Sequence, residues 1–122
     1  PPLPAVSFIQ MKSFRSTPLK VGVSSKKAVI DLQINLEIDW DSRQTIRDNY
    51  VVLQQMIRDR MLKELISPLR YEDLGSPTNL AKMKANIKRI VNEVLKNRGS
   101  NNLPQMPILD VLITDWSLSY PK

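Results

Sequence analysis

The sequence contains no cysteine and no histidine. Without cysteine the chain can form neither a disulfide nor a thiolate zinc site, and this absence fits any cellular compartment. Without histidine it lacks the usual general base near neutral pH and the most common metal-binding side chain. Only three glycines are present, and none belongs to a loop of the kind that holds phosphates. These absences argue against an enzyme and against a bound metal or other cofactor.

Long apolar runs are also absent. The sequence contains no stretch of about 18 apolar residues that could cross a bilayer, and it contains no signal-peptide pattern. The 122 residues are enough for one domain with one core. Because the chain begins at Pro1 rather than at methionine, we expect a fragment of a longer protein, from which an upstream membrane anchor could have been removed. Residues 1–4, which include three prolines, are then predicted to be an extended linker, and residues 5–122 a single domain.

A strict alternation of apolar and polar side chains runs from Ile30 to Trp40. Side chains of a strand point alternately to opposite faces, so all the apolar groups of this segment share one face. The segment therefore predicts a strand roughly 36 Å long, with one face in the core and the other in water. The second face carries Asp31, Glu37 and Asp39, which we interpret as solvated carboxylates rather than as a cation site or a catalytic pair.

Three other segments have weaker strand patterns. Residues 5–14 predict a strand that ends before a turn around Pro18. A short strand is predicted at residues 21–23, followed by a polar turn at residues 24–27. Residues 108–120 carry apolar side chains at both odd- and even-numbered positions, and therefore on both faces of a strand. This pattern predicts a strand in the interior of the sheet.

The first helical pattern extends to about Ile66, before Ser67-Pro68. Asp41 or Ser42 is predicted to cap it, and Asp41 and Gln44 have the spacing of a capping box. Its apolar stripe consists of Ile46, Tyr50, Leu53, Ile57 and Met61. Three apolar residues lie about 120° to 180° from the centre of this stripe, namely Val51, Leu62 and Ile66. This surplus apolar surface is either covered by the second helix or a loop, or it is an oligomer interface.

The second helical pattern begins with Ser76 as N-cap and Pro77 at the first helical position, and Gly99 is predicted as its C′ residue. Its predicted apolar stripe consists of Leu80, Met83, Ile87, Ile90, Val91 and Val94. Opposite this stripe lies a basic stripe with seven-residue spacing, formed by Lys82, Arg89 and Lys96. With a net charge of +6, this stripe fits a solvated face, a nucleic-acid site or an anionic membrane surface. Aromatic side chains that would stack on bases are not interleaved with it, which argues against nucleic acid.

The order of strands, two helices and a final strand predicts the α+β class, with a mostly antiparallel sheet and two helices packed on one face. Short motifs follow one another in this order: Ile57-Arg58-Asp59, Asp73-Leu74, Asn92-Glu93-Val94-Leu95 and Val111-Leu112-Ile113-Thr114-Asp115-Trp116. Together with the preceding alternating strand, they resemble the extracytoplasmic domain of the FliL family of flagellar basal-body-associated proteins. The resemblance covers about residues 28 to 118.

The resemblance implies a stomatin-like fold in a single-pass protein of the bacterial inner membrane, with this domain in the periplasm. It implies a homo-oligomeric ring that associates with flagellar stator proteins and supports torque, and it offers no catalytic residue or cofactor. In such a ring we expect neighbour contacts from the surplus apolar residues and the basic stripe, which are Val51, Leu62, Ile66, Lys82, Arg89 and Lys96. Two alternatives stay open, a basic nucleic-acid-binding module and a stomatin-like membrane scaffold unrelated to motility.

Overall fold

The order of elements is strands, two helices and a final strand, as the sequence predicted. The computed structural model describes residues 5–21 and 27–120. Its main elements are strands β1 (Val6–Gln10), β2 (Phe14–Pro18) and β3 (Val29–Asp39), helices α1 (Arg43–Met61) and α2 (Pro77–Arg98), and strand β4 (Ile108–Ser119). The predicted linker at residues 1–4 lies outside the described residues, as do the predicted short strand and polar turn except for Val21 and Lys27.

Strand β3 is the centre of the sheet. Its apolar side chains from Ile30 to Ile38 are at most 3% exposed, and those of the other face are half-buried. This pattern confirms the predicted alternation as far as Asp39, but Trp40 lies past the end of β3 and is 47% exposed. Strands β1 and β2 pair with the two halves of one edge of β3, and β4 pairs with the other edge, all antiparallel. The fold is therefore α+β with a four-stranded antiparallel sheet, and its core lies between the sheet and the helices.

The strand predicted at residues 5–14 is confirmed only for β1, and the turn predicted around Pro18 is wrong. The segment forms two strands, with a break at residues 11–13 between β1 and β2. Pro18 is the last residue of β2, a position at a sheet edge where a residue without an N–H is tolerated. Ser16 adopts a positive φ of 46° where the register with β3 is irregular. This irregularity lets the chain stay paired with β3 as far as Pro18.

The prediction that the last strand is internal is also wrong, because β4 is an edge strand. Within the described part of the chain it pairs only with β3. Some of its apolar side chains stay at the surface, and Leu109 and Trp116 are 36% and 38% exposed. Its register with β3 skips Leu109 and Thr114, and such bulges are typical of sheet edges. Apolar residues on both parities therefore do not indicate an enclosed strand here.

The start of α1 is held by β3 rather than by a capping box. Ser42 is the N-cap residue, but its side chain makes no capping hydrogen bond. The backbone N–H of Ser42 donates to a carboxylate oxygen of Asp39 at 3.2 Å. The capping box predicted for Asp41 and Gln44 is wrong, because the Gln44 side chain donates to Asp48 at 2.8 Å instead.

At the end of α1 the chain changes from α-helical to π-helical geometry. Leu62–Ile66 form a π-helical turn, in which the N–H of Ser67 donates to the carbonyl of Leu62 at 2.8 Å. The wider turn brings Ile66 into line with the buried stripe, five residues after Met61. Ile66 is 1% exposed, so the prediction that it lies far from the stripe is wrong. That prediction continued α-helical geometry past Met61, where the chain no longer follows it.

Helix α2 buries the predicted stripe except for Leu80, which is half-buried, and it also buries Leu95, which was not predicted. The Ser76 side chain accepts a hydrogen bond from the N–H of Thr78 at 3.2 Å, and Pro77 opens the helix, which confirms the predicted N-terminus. Gly99 follows the helix but has an extended backbone (φ −84°, ψ −176°) instead of the left-handed backbone of a C′ glycine. The buried residues of α2 are Met83, Ile87, Ile90, Val91, Val94 and Leu95.

Candidate interaction surfaces

The carboxylates on the outer face of β3 hold backbone groups. Asp31 accepts a hydrogen bond from the N–H of Ser16 at 2.7 Å, and Asp39 binds the N-cap of α1. Within residues 5–21 and 27–120, no group of three or more acidic side chains is placed to hold a metal ion. The contacts of Asp31 and Asp39 are therefore structural.

Arg58, the central residue of the Ile57-Arg58-Asp59 motif, attaches α1 to the connection between β1 and β2. Its guanidinium donates to the carbonyl oxygens of Lys12 at 2.6 Å and Ser13 at 2.8 Å. It also lies 3.9 Å from the centroid of the Phe14 ring. The charged guanidinium group thus supplies hydrogen-bond donors to two backbone carbonyl groups at the break between the strands. The motif therefore has a structural role in this chain.

Replacing Arg58 by alanine is expected to lower the free energy of unfolding by about 1–2 kcal/mol. The change leaves two carbonyl groups without their donor and removes the contact with the Phe14 ring. Urea denaturation measures the loss, and Arg15→Ala, at an exposed position of β2, is the control with little expected effect. Equal midpoints for the Arg58 variant and the unmodified chain would contradict this role.

Asn92, the first residue of the second motif, attaches α2 to the beginning of β4. Its Nδ2 donates to the carbonyl oxygen of Ile108 at 3.1 Å, and its Oδ1 accepts from the N–H of Ile108 at 2.8 Å. One side-chain amide therefore satisfies both backbone groups of a residue on an edge strand. This contact fixes where β4 begins relative to α2.

An ion-pair cluster joins the end of α1 to α2. Arg60 contacts Glu64 at 2.6 Å and Glu93 at 3.0 Å, and Arg89 contacts Glu93 at 3.2 Å. The hydrogen bond from Arg60, followed by the one from Arg89, lowers the pKa of Glu93 below its ordinary value of 4.5. The hydrogen bond from Arg60 likewise lowers the pKa of Glu64. Arg89 of the predicted basic stripe therefore forms an ion pair with a residue of its own domain.

Replacing Glu93 by glutamine is expected to reduce the loss of stability in acid. Because the folded-state pKa of Glu93 is depressed, its contribution is present above its ordinary pKa and is lost as the pH falls through the folded value. Urea midpoints measured from about pH 6 down to about pH 3 should fall less steeply in the variant. Salt at about 1 M should narrow the difference, because exposed charges are screened. Identical pH profiles would show that the cluster contributes nothing.

Exposed apolar side chains lie on the outer face of α1. Val51, Val52 and Met56 are 62%, 80% and 40% exposed, and we call them the α1 apolar surface. Sequence reasoning named Val51 but missed Val52 and Met56, which the four-residue spacing between them could have indicated. Leu62 is only half-buried but packs against the core. Of the predicted apolar residues, Val51 is therefore the one that is largely exposed.

The predicted basic stripe lies on the surface of α2. Lys82, Arg89 and Lys96 are all exposed, and only Arg89 takes part in an ion pair within the described residues. Lys82 borders a groove of ≈ 270 Å³ between α2 and the segment after α1, lined also by Leu65 and Leu69. The structure thus does not bring the basic stripe and the α1 apolar surface together into one site.

The chain matches a known family over most of its length. A model of the family described as flagellar basal body-associated protein FliL matches residues 8–118, which include both helices, Arg58 and Asn92. The comparison with curated proteins returns no match. None of the helices in the described residues is both long enough and apolar enough to cross a membrane. The chain belongs to the FliL family of flagellar basal body-associated proteins, which are structural components associated with the flagellar motor.

Proposed function

We propose that this chain is a non-catalytic structural domain of the bacterial flagellar motor. It stands on the periplasmic side of the inner membrane, joined by residues 1–4 to an upstream anchor. Copies of the domain form a ring that supports the stator units while they generate torque. The observation that carries the proposal is the family match over residues 8–118. The structural roles of Arg58 and Asn92 support it, because the motifs shared with the family maintain the fold.

The α1 apolar surface supports the ring in particular. Three large apolar side chains are exposed on one helix, and exposed apolar surface of this kind can mark contacts with other proteins. We assign this surface to the contact between neighbouring copies, and Lys82 and Lys96 to contacts with other motor proteins. Anchoring to a membrane would raise the effective concentration of the copies, so a modest contact could be sufficient for assembly.

Replacing Val52 by aspartate is expected to reduce self-association at least about tenfold, because the change places a charge in the centre of an apolar contact. The domain itself should stay folded, since this side chain is 80% exposed. The assay tethers the domain to lipid vesicles through an N-terminal tag and measures energy transfer between labelled copies. Asn97→Asp, which adds the same charge at an exposed position of α2, is the control. Equal energy transfer for both variants would contradict the assignment of this surface.

Deletion of the gene tests the proposed function in cells. We expect the deletion strain to swim and swarm more slowly than its parent, with the largest difference in viscous medium, where the motor works under load. The intact gene should restore the speed. Normal swimming and swarming under load in the deletion strain would contradict a role in supporting the stator units.

A further inference from the structure

The outer edge of β4 is closed at its start, and an aromatic contact lies just past its end. At its start, Asn92 binds both backbone groups of Ile108, and the N–H of Val111 donates to the side chain of Asp110 at 2.8 Å. Just past its end, the ring of Tyr120 stacks on Tyr71 with 4.9 Å between centroids. Between these two places, no described element other than β3 pairs with β4.

The backbone groups of Ile113, Trp116 and Leu118 point towards this open edge. In an antiparallel pair, successive residues direct their N–H and C=O groups alternately to the two sides. The carbonyl of Ile34 accepts from the N–H of Met11, so the even-numbered residues of β3 bond towards β1 and β2. Their register partners in β4 therefore direct their groups outward. Residues 115–119 pair with β3 without irregularity and offer a regular edge.

A groove of ≈ 330 Å³ lies beside this open edge, between β4 and α2. It is lined by Pro77, Leu80, Ala81, Lys84, Ile113 and Trp116. Trp116 is 38% exposed there. Lys84, and Lys88 one helical turn further along α2, are half-buried and form no ion pair with any other described residue. The groove therefore combines apolar walls with uncompensated positive charge.

An open strand edge can bind an extended segment as an additional strand. Every second side chain of such a strand would face α2. An apolar side chain at one of these positions would contact Leu80 and Trp116, and an acidic one two residues away would lie near Lys84. A second copy of β4 fits poorly, because the exposed Asp110 and Asp115 would place like charges along both edges.

We propose that the segment of β4 from Ile113 to Leu118 is a docking site for an extended acidic segment of a partner protein. The partner adds a strand to the sheet, and its carboxylate lies near Lys84. This site is separate from the α1 apolar surface, so it does not depend on ring formation. The test of the docking site can fail while the proposed ring is confirmed, and the ring can be disproved while the docking site is confirmed.

The test uses a peptide of defined sequence, Thr-Ile-Thr-Glu-Thr-Glu-Thr, blocked at both ends, so that isoleucine and glutamate face the same side of a strand. At concentrations up to about 1 mM, it should slow hydrogen exchange at the amides of Trp116 and Leu118, as followed by NMR. Two control peptides should not do so. One has lysine in place of glutamate, and the other has proline at the central position, which removes the N–H donor needed for strand pairing.

The variant Lys84→Glu should weaken binding of the acidic peptide at least about fivefold. It should also allow the lysine peptide to bind. Arg98→Glu, which makes the same charge change at an exposed position at the end of α2, should leave both affinities unchanged. If Lys84→Glu alters the spectrum of the folded chain, Lys84→Gln replaces it, with a smaller weakening expected. No protection up to about 1 mM, protection only outside β4, or equal affinity for both peptides would overturn the proposal.

Discussion

Alanine in place of Ile66 is expected to destabilise the domain by about 3 kcal/mol. The side chain is 1% exposed and lies at the end of the π-helical turn, where it continues the buried stripe of α1 after Met61. Truncation removes its apolar contacts and leaves a cavity that the surrounding core fills only in part. An α-helix continued unchanged from Met61 would place this residue near the surface and would predict almost no effect.

The matched control is Val52→Ala on the same helix. Val52 is 80% exposed, so its truncation should change the free energy of unfolding by no more than about 0.5 kcal/mol. Urea denaturation of both variants gives the comparison directly. A loss for Ile66→Ala as small as that for Val52→Ala would show that the π-helical turn does not place Ile66 in the core.

Alanine in place of Gly99 is expected to destabilise the domain by about 2–3 kcal/mol. A Cβ at this position would meet the carbonyl oxygen of Leu95, Cδ1 of Leu103 at 2.6 Å and Oδ1 of Asn49 at 2.9 Å. The Leu95 carbonyl is helix backbone and cannot move easily. The Asn49 oxygen accepts a hydrogen bond from the N–H of Ser100 at 2.7 Å. Displacing the Asn49 side chain would therefore break a contact between α1 and the loop after α2.

Gly75 provides the control for this substitution. A Cβ at Gly75 would meet nothing within 4 Å, and its φ is not positive. Gly75→Ala should therefore be neutral or slightly stabilising, because alanine reduces the freedom of the unfolded chain. Thermal unfolding should give a clearly lower midpoint for Gly99→Ala than for Gly75→Ala. Equal midpoints would contradict the close packing around Gly99.

Local patterns were sufficient to predict the elements whose structure depends on their own sequence. The alternation from Ile30 to Trp40 predicted β3 and its buried face. With a side-chain period of two, only one of the two faces of the strand collects the apolar residues, so that face must be the buried one. Ser76 and Pro77 predicted the start of α2, because capping needs only residues within one turn. The order of elements then indicated the α+β class, since the first three strands follow one another and do not alternate with helices.

Features that depend on distant partners could not be predicted in this way. The edge position of β4 follows from which strands flank β3, and its sequence does not report this. The break between β1 and β2 depends on Arg58, more than 40 residues away along the chain, which binds the carbonyl groups of Lys12 and Ser13. The role of Asn92 depends in the same way on Ile108.

The candidate surfaces show the same division. A helical wheel correctly placed Val51 away from the buried stripe, but it could not predict the π-helical turn that buries Ile66. The basic stripe was visible as a seven-residue spacing, and the four-residue spacing of Arg89 and Glu93 within α2 could have indicated their ion pair. The contact of Arg60 with Glu93, in contrast, requires α1 and α2 to be packed together. Surface composition could therefore be read from the sequence, and the ion pairs between elements could not.

The most direct test of the flagellar assignment is the position of the full-length protein in living cells. A fluorescent fusion, expressed from its own promoter and imaged together with labelled flagellar hooks, reports this position. Membership of the FliL family and the proposed place at the motor predict foci that coincide with the flagellar bases. Fluorescence spread evenly over the envelope, in cells that swim normally with the functional fusion as their only copy, would contradict the account.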